Sequence, residues 1–160
     1  MQVFLIRHAS AVDETLAVRD PHRPLTAAGR AQATGLGDRM RWHDCLPTHV
    51  WTSPLVRAVQ TTELVCAGLH ATVTVDVVPA LAPDGAVRDV AAAIHALPPT
   101  SAVMVVGHEP ALSALGALLV GDPRFEALAK AQCARIIDGV VRWRFDGDGD
   151  APVPPALRPE

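Results

Sequence analysis

Val3-Phe4-Leu5-Ile6-Arg7-His8 is an apolar run that breaks abruptly into a guanidinium and an imidazole. Residues 3–6 are strand formers without polar alternation, which is the pattern of a strand buried on both faces. An unpaired arginine is too costly to desolvate in the middle of such a strand, so the strand must surface at Arg7. Arg7 and His8 then stand at a strand's carboxyl end, where open α/β sheets bind their ligands.

The same grammar recurs along the chain. Residues 48–52 form a second strand candidate, followed by Ser53-Pro54, with Ser53 expected as helix N-cap and Pro54 at the first helical position. Residues 71–78 read as a third strand. Residues 102–106, again wholly apolar, read as a fourth that runs directly into Gly107-His108-Glu109-Pro110. Between the strands lie helical patterns. One starts at Thr26, its N-cap, and carries a stripe of Gly29, Ala33, Leu36 and Met40. The others follow Pro54, span residues 86–97, and span residues 110–120. A short helical turn is expected at 125–131, then a hairpin turning at Asp138-Gly139. Strands alternating with helices predict an α/β three-layer sandwich. Its central sheet is mostly parallel with helices on both faces, and the C-terminal hairpin makes an antiparallel contribution at one edge. Residues 1–146 are expected as a single domain and 147–160 as a Pro/Asp/Gly-rich tail.

Bulk properties narrow the function classes. The chain has 160 residues, 49% of them hydrophobic, enough for one sizeable core. A formal net charge of −3 gives no reason to expect nucleic-acid binding. Cys45, Cys66 and Cys133 are an odd set without metal-ligand spacing, and they read as small buried hydrophobes in a reducing compartment. No signal peptide opens the sequence, and the apolar stretch at 111–120 is too short to span a bilayer. These features predict a soluble cytoplasmic protein with no membrane partner.

In a parallel sheet the segments after the first, second and fourth strands share one rim. Arg7, His8, Arg57 and His108 would meet there beside helix N-termini, an electropositive pocket suited to a dianion such as phosphate, or sulfate in its place. One neutral imidazole can attack phosphorus, and the second, when charged, can stabilise the transferring group with the arginines. The arginines supply the compensating charge, so no metal or other cofactor is expected. A GxxxxGK[ST] nucleotide loop is absent from the sequence.

These residues carry a resemblance. Leu5-Ile6-Arg7-His8-Ala9 resembles the Arg-His-Gly signature of the histidine phosphatase (phosphoglycerate-mutase-like) superfamily. Arg23-Pro24-Leu25-Thr26-Ala27-Ala28-Gly29 is similar to its LTxxG helix start, residues 53–62 to its SPxxRAxQT segment, and residues 106–110 to its GHxP turn. The short length is most similar to the SixA-type phosphohistidine phosphatases. The resemblance implies a phosphatase with His8 as nucleophile, and Arg7, Arg57 and His108 binding the phosphoryl group. Ala9 departs from the usual glycine. The loop after the third strand, Leu81-Ala82-Pro83-Asp84-Gly85, lacks the glutamate that many members use as general acid.

That thin acid inventory favours a phosphohistidine-containing protein as substrate, because imidazole leaves without a strong acid's help. The alternative is a small phosphorylated substrate, such as a sugar or nucleotide phosphate; an inactive phosphoprotein-binding module ranks lower because His8 is intact. Asp84 is the one candidate acid, though it reads first as a helix N-cap. Ser53 reads as a cap first and a phosphate contact second. Glu109 either orients His108 or sits in the helix's first turn, and Arg23 either reaches the substrate or braces its loop.

Overall fold

The computed structural model describes residues 1–146, and the expected tail at 147–160 lies outside the described residues. The strands are β1 (Gln2–Arg7), β2 (His49–Thr52), β3 (Val75–Val77), β4 (Ala102–Gly107), β5 (Cys133–Ile137) and β6 (Val140–Phe145). The helices are α1 (Ala27–Trp42), α2 (Val56–Leu69), α3 (Val87–His95) and α4 (Ala111–Val120). One six-stranded sheet has the order β3-β2-β4-β1-β5-β6. β1 to β4 are mutually parallel, whereas β5 runs antiparallel to β1 and β6 antiparallel to β5. The hairpin turns at Asp138 and Gly139, both with positive φ (48° and 76°), the signature of a type I′ turn.

The missing alternation in β1 and β4 follows from the two cores. Phe4, Ile6, Met104 and Val106 pack with Ala33, Leu36 and Met40 of α1 and Ala58 and Val65 of α2. Val3, Leu5, Val103 and Val105 pack on the other face with Val90 and Ile94 of α3 and Leu112 and Leu115 of α4. Each such large side chain, fully buried, is worth about 1.5–3 kcal/mol. This is the three-layer arrangement expected.

The α1 stripe is buried as the sequence predicts, and Thr26 Oγ1 caps the helix by accepting from Gly29 N at 3.0 Å. Gly37, a poor helix former by about 1 kcal/mol, proves necessary. A Cβ there would stand 2.2 Å from the Val65 carbonyl oxygen of α2, so the two helices touch backbone to backbone.

Four local expectations are corrected. The third strand is confined to Val75–Val77, because β2 offers a parallel partner only from Val50 to Thr52. The second helix starts at Val56 with Leu55 as N-cap, not Ser53, since the Ser53 amide still donates to Val106 O at 3.0 Å in the sheet. Asp84 is exposed and is no N-cap; Ala86 occupies that position, without a side-chain bond. Residues 125–131 are irregular, not helical, because their peptide groups bond elsewhere. Leu128 N donates to Glu109 Oε1 at 2.9 Å, and Ala131 N to Arg7 O at 3.1 Å.

Candidate active site

Strand register builds the site. Arg7 ends β1 opposite Gly107, which ends β4, and the His8 amide donates to Gly107 O at 3.1 Å. His8 and His108 are therefore the first residues beyond adjacent parallel strands, and their ring centroids lie 5.1 Å apart. Ser53, the first residue beyond β2, sits on the other side of β4, where its Oγ lies 2.7 Å from His108 Nε2. Arg57, in the first turn of α2, is buried at the same rim.

The protonation of His8 follows from its bond. Its Nδ1 lies 2.8 Å from the Ala9 carbonyl oxygen, which can only accept, so Nδ1 carries the proton and Nε2 keeps the lone pair. Burial, with Arg57, Arg7 and Lys130 nearby, pulls the His8 pKa down from 6.5 to about 4, against the upward pull of that backbone bond. His8 is therefore neutral at physiological pH. Ala9 needs no glycine-like conformation, for it is absent from the positive-φ residues.

His108 corrects an expectation. Burial, then the proximity of His8 and Arg57, lowers its pKa to about 3, so it too is neutral and not the charged partner anticipated. A third imidazolium-sized charge beside two guanidinium groups has too little water to stabilise it.

Among the described residues, three buried side-chain polar atoms lack a hydrogen-bond partner: Arg7 Nε, Arg57 Nε and His108 Nδ1. Leaving such a group unpaired costs about 1–3 kcal/mol. All three belong to this one site, and phosphoryl oxygens are the acceptors they would suit.

The remaining candidates separate cleanly. Glu109 does not orient His108. Its Oε2 accepts from Ser113 N at 3.2 Å and Ser113 Oγ at 2.7 Å, and its Oε1 accepts from Leu128 N, fastening the first turn of α4 to residues 122–132. Arg23 braces its loop, donating to Asp20 Oδ1 at 3.0 Å and Val12 O at 3.0 Å. Asp84 makes no hydrogen bond or ion pair. On its α3–α4 side His108 adjoins a small apolar cavity lined by Ala80, Leu81, Val87, Ala111 and Leu112.

Three contributors escaped the sequence reading. Asp20 holds Arg57, whose Nη1 donates to Asp20 O at 2.9 Å and whose Nη2 lies 3.5 Å from Asp20 Oδ2. Its carboxyl pKa is lowered by Arg23 and Arg57 despite an opposing desolvation effect, so it is ionised. Thr61 Oγ1 receives the Ala9 amide at 3.0 Å, and the Leu128 carbonyl receives Arg7 Nη1 at 3.1 Å. Thr61 had one available signal, its position one turn after Arg57. Asp20 and Leu128 had none, since each acts partly through a backbone carbonyl. Among the described residues no group of three or more His, Cys, Asp or Glu could hold a metal ion.

A rim that pairs a neutral histidine with arginines and unpartnered donors defines a phosphoryl-handling protein, and the comparisons agree. The family model for the histidine phosphatase superfamily (branch 1) matches residues 3–82, and the chain belongs to that superfamily. It is 34% identical over 152 residues to phosphohistidine phosphatase SixA of Escherichia coli (strain K12), covering 91% of this chain and 93% of the relative. Its fold superimposes on a protein histidine phosphatase SixA complexed with tungstate at a TM-score of 0.84. That match has 28% identity and covers 92% of this chain and 97% of the other. A mycobacterial glucosyl-3-phosphoglycerate phosphatase shares the fold at a TM-score of 0.64 and 17% identity, over 84% of this chain and 88% of that one. The protein is thus a phosphatase of this family, and no helix among its described residues is long and apolar enough to cross a membrane.

Proposed function

We propose that this phosphatase, acting through one domain at residues 1–146, removes the phosphoryl group from phosphohistidine on a protein by way of a phospho-His8 intermediate. One observation carries the mechanism: His8 is held neutral, with Nδ1–H committed to the Ala9 carbonyl and Nε2 left with its lone pair. That pair attacks phosphorus as the substrate's P–N bond breaks and its electrons return to the departing ring, whose other nitrogen already carries a proton, so that it leaves as neutral imidazole. Arg7, Arg57 and His108 hold the phosphoryl oxygens through both steps. Water then attacks phosphorus and gives up a proton to solvent as the P–Nε2 bond breaks, and inorganic phosphate leaves while His8 regains its lone pair.

The absence of a placed acid among the described residues supports the substrate class. Asp20 is the carboxylate that contacts the arginines, and it is ionised. Asp84 is exposed and held by nothing. An alkoxide leaving group would receive no proton here, whereas imidazole needs little help. That a relative of the same fold is complexed with tungstate supports a phosphate-like oxyanion as ligand.

The decisive experiment presents a phosphohistidine protein, p-nitrophenyl phosphate and sugar phosphates to the wild type and to His8→Ala. Expected is turnover of phosphohistidine well above the esters, an acid-labile phosphoenzyme, and loss of both in His8→Ala. Turnover surviving His8→Ala overturns the mechanism. Sugar-phosphate turnover beside inert phosphohistidine overturns the substrate and favours the small-molecule reading.

A further inference from the structure

We infer that Ser53 is a positioning residue that fixes the tautomer of His108, so that a neutral His108 donates a hydrogen bond from Nδ1 to the phosphoryl group. The inference rests on the phosphatase reading above and concerns what makes His108 a donor while uncharged.

The Ser53 hydroxyl is wholly buried, so water offers it no alternative partner. Its Oγ accepts from the Leu55 amide at 3.3 Å and lies 2.7 Å from His108 Nε2. A hydroxyl has one proton to give. The Leu55 contact uses only a lone pair, and Nε2 is the one acceptor within bonding distance of Ser53 Oγ among the described residues. If Nε2 carried the ring proton, the hydroxyl proton would be stranded in a dry site, at the cost of an unpaired buried donor. The satisfied arrangement has Oγ–H donating to Nε2. The neutral ring then carries its proton on Nδ1.

Nδ1 is one of the three buried polar atoms without a protein partner. Protonated, it joins Arg7 Nε and Arg57 Nε as a donor for phosphoryl oxygen. The two histidines thus share the Nδ1–H tautomer, each fixed by a different partner. The Ala9 carbonyl, a pure acceptor, draws the His8 proton to Nδ1 and exposes a lone pair on Nε2. A serine hydroxyl, obliged to donate, drives the His108 proton to Nδ1, where it faces the anion. The ring centroids lie 5.1 Å apart with the planes tilted by 52°, one ring as nucleophile and the other as donor. The groups that act electrostatically on His108 are His8, Arg57, Arg7 and Asp20. Three of these, His8, Arg57 and Arg7, disfavour an imidazolium and only Asp20 favours one, so the ring stays uncharged at neutral pH and the serine removes the need for a charged donor.

Placement also argues for purpose. Ser53 stays in the sheet ladder through its amide, one residue beyond β2, while the helix it precedes begins only at Val56. The side chain therefore serves His108 and the short turn at Leu55, not the helix cap.

The test is nitrogen NMR on ¹⁵N-histidine-labelled wild type with and without inorganic phosphate, alongside steady-state kinetics of Ser53→Ala and Ser53→Thr. In wild type at pH 7.5, His108 Nδ1 should show the pyrrole-type shift and Nε2 the pyridine-type shift. Ser53→Ala should lose on the order of ten- to a hundredfold in kcat, as expected when a charged-group hydrogen bond is mis-set. In Ser53→Ala the two His108 nitrogen shifts should move toward the average of the two tautomers, because nothing then fixes the proton. Ser53→Thr, which keeps the hydroxyl, should recover the wild-type shifts and most of kcat. A pyridine-type Nδ1 in the wild type overturns the inference even if both variants misfold. So does a Ser53→Ala enzyme whose His108 shifts and kcat are unchanged. If the NMR result holds while phosphohistidine proves inert, only the substrate reading falls.

Discussion

The amide of Ala9 donates to Thr61 Oγ1 at 3.0 Å, tying the residue after the nucleophile to helix α2. The same hydroxyl donates to the Arg57 carbonyl at 2.7 Å, so one buried threonine joins the phosphate clamp on α2 to the backbone that sets His8. Because Ala9 also supplies the carbonyl that orients the His8 ring, any tilt of this peptide moves the attacking nitrogen. Thr61→Val keeps the shape and removes the bond, leaving a buried N–H unpaired. We expect a stability loss of about 1–3 kcal/mol and a fall in kcat on the order of tenfold, with Thr61→Ser close to wild type. Urea denaturation and phosphatase assays check this, and full kcat in Thr61→Val would remove Thr61 from the machinery.

Asp20 sets a different balance. Its carboxylate lies 3.5 Å from Arg57 Nη2, so an incoming dianion meets an arginine already shared with a negative charge. Asp20 is itself 43% exposed, which limits the pair to under about 1 kcal/mol. In Asp20→Ala the backbone contact to Arg57 Nη1 can persist while the competing charge is gone. Inorganic phosphate should then inhibit at about threefold lower concentration, the size expected for an exposed ion pair. Unchanged or weaker inhibition by phosphate would show that Asp20 helps the anion bind.

How much of this was legible in the chain depends on where the information resides. β1, β4 and the hairpin could be read because apolar runs, an Asp-Gly turn and an arginine that must surface are local signals. His8, His108 and Arg57 could be placed together because parallel strands carry their following residues to one rim. Ser53 was visible as a residue but given the wrong task, since its amide belongs to the sheet and its hydroxyl to a histidine 55 positions away. Asp84 was over-read because a polar residue before Gly85 resembles a cap, while the helix begins at Val87 with nothing capping it. The irregular segment at 125–131 reads as helix in the sequence because its long-range partners, Glu109 and Arg7, leave no trace in local composition.

The pH dependence of stability follows from the two histidines. Both have folded-state pKa values below the ordinary 6.5, about 4 for His8 and about 3 for His108, chiefly through burial. Between those values and 6.5 the unfolded chain binds more protons than the folded one, so stability rises with pH and is lost as pH falls. Shifts of this size correspond to about 3–5 kcal/mol per histidine. The urea midpoint should drop steeply from pH 6.5 toward pH 4.5 and level above pH 7. The double variant His8→Gln, His108→Gln should flatten that slope, and an equally steep slope in the variant would place the cause elsewhere.

Glu109 offers the sharpest separation of structure from chemistry. Its carboxylate receives Leu128 N at 2.9 Å, and the carbonyl of that same Leu128 receives Arg7 Nη1 at 3.1 Å. Glu109 therefore holds the residue that aims a phosphate clamp, although it touches neither histidine by hydrogen bond. In Glu109→Ala the amides of Ser113 and Leu128 lose their acceptor, and residues 122–132 lose their fastening to α4. Stability should fall by about 1–3 kcal/mol. KM for an aryl phosphate should rise several-fold, because Arg7 then samples orientations away from the pocket. Glu109→Gln keeps Oε1 as an acceptor for Leu128 N but replaces Oε2 by an NH2 group that cannot accept from Ser113, so it should restore most of the KM while recovering less of the stability. If Glu109→Ala lowers stability yet leaves KM unchanged, Arg7 is aimed by β1 alone and the Leu128 carbonyl is a bystander.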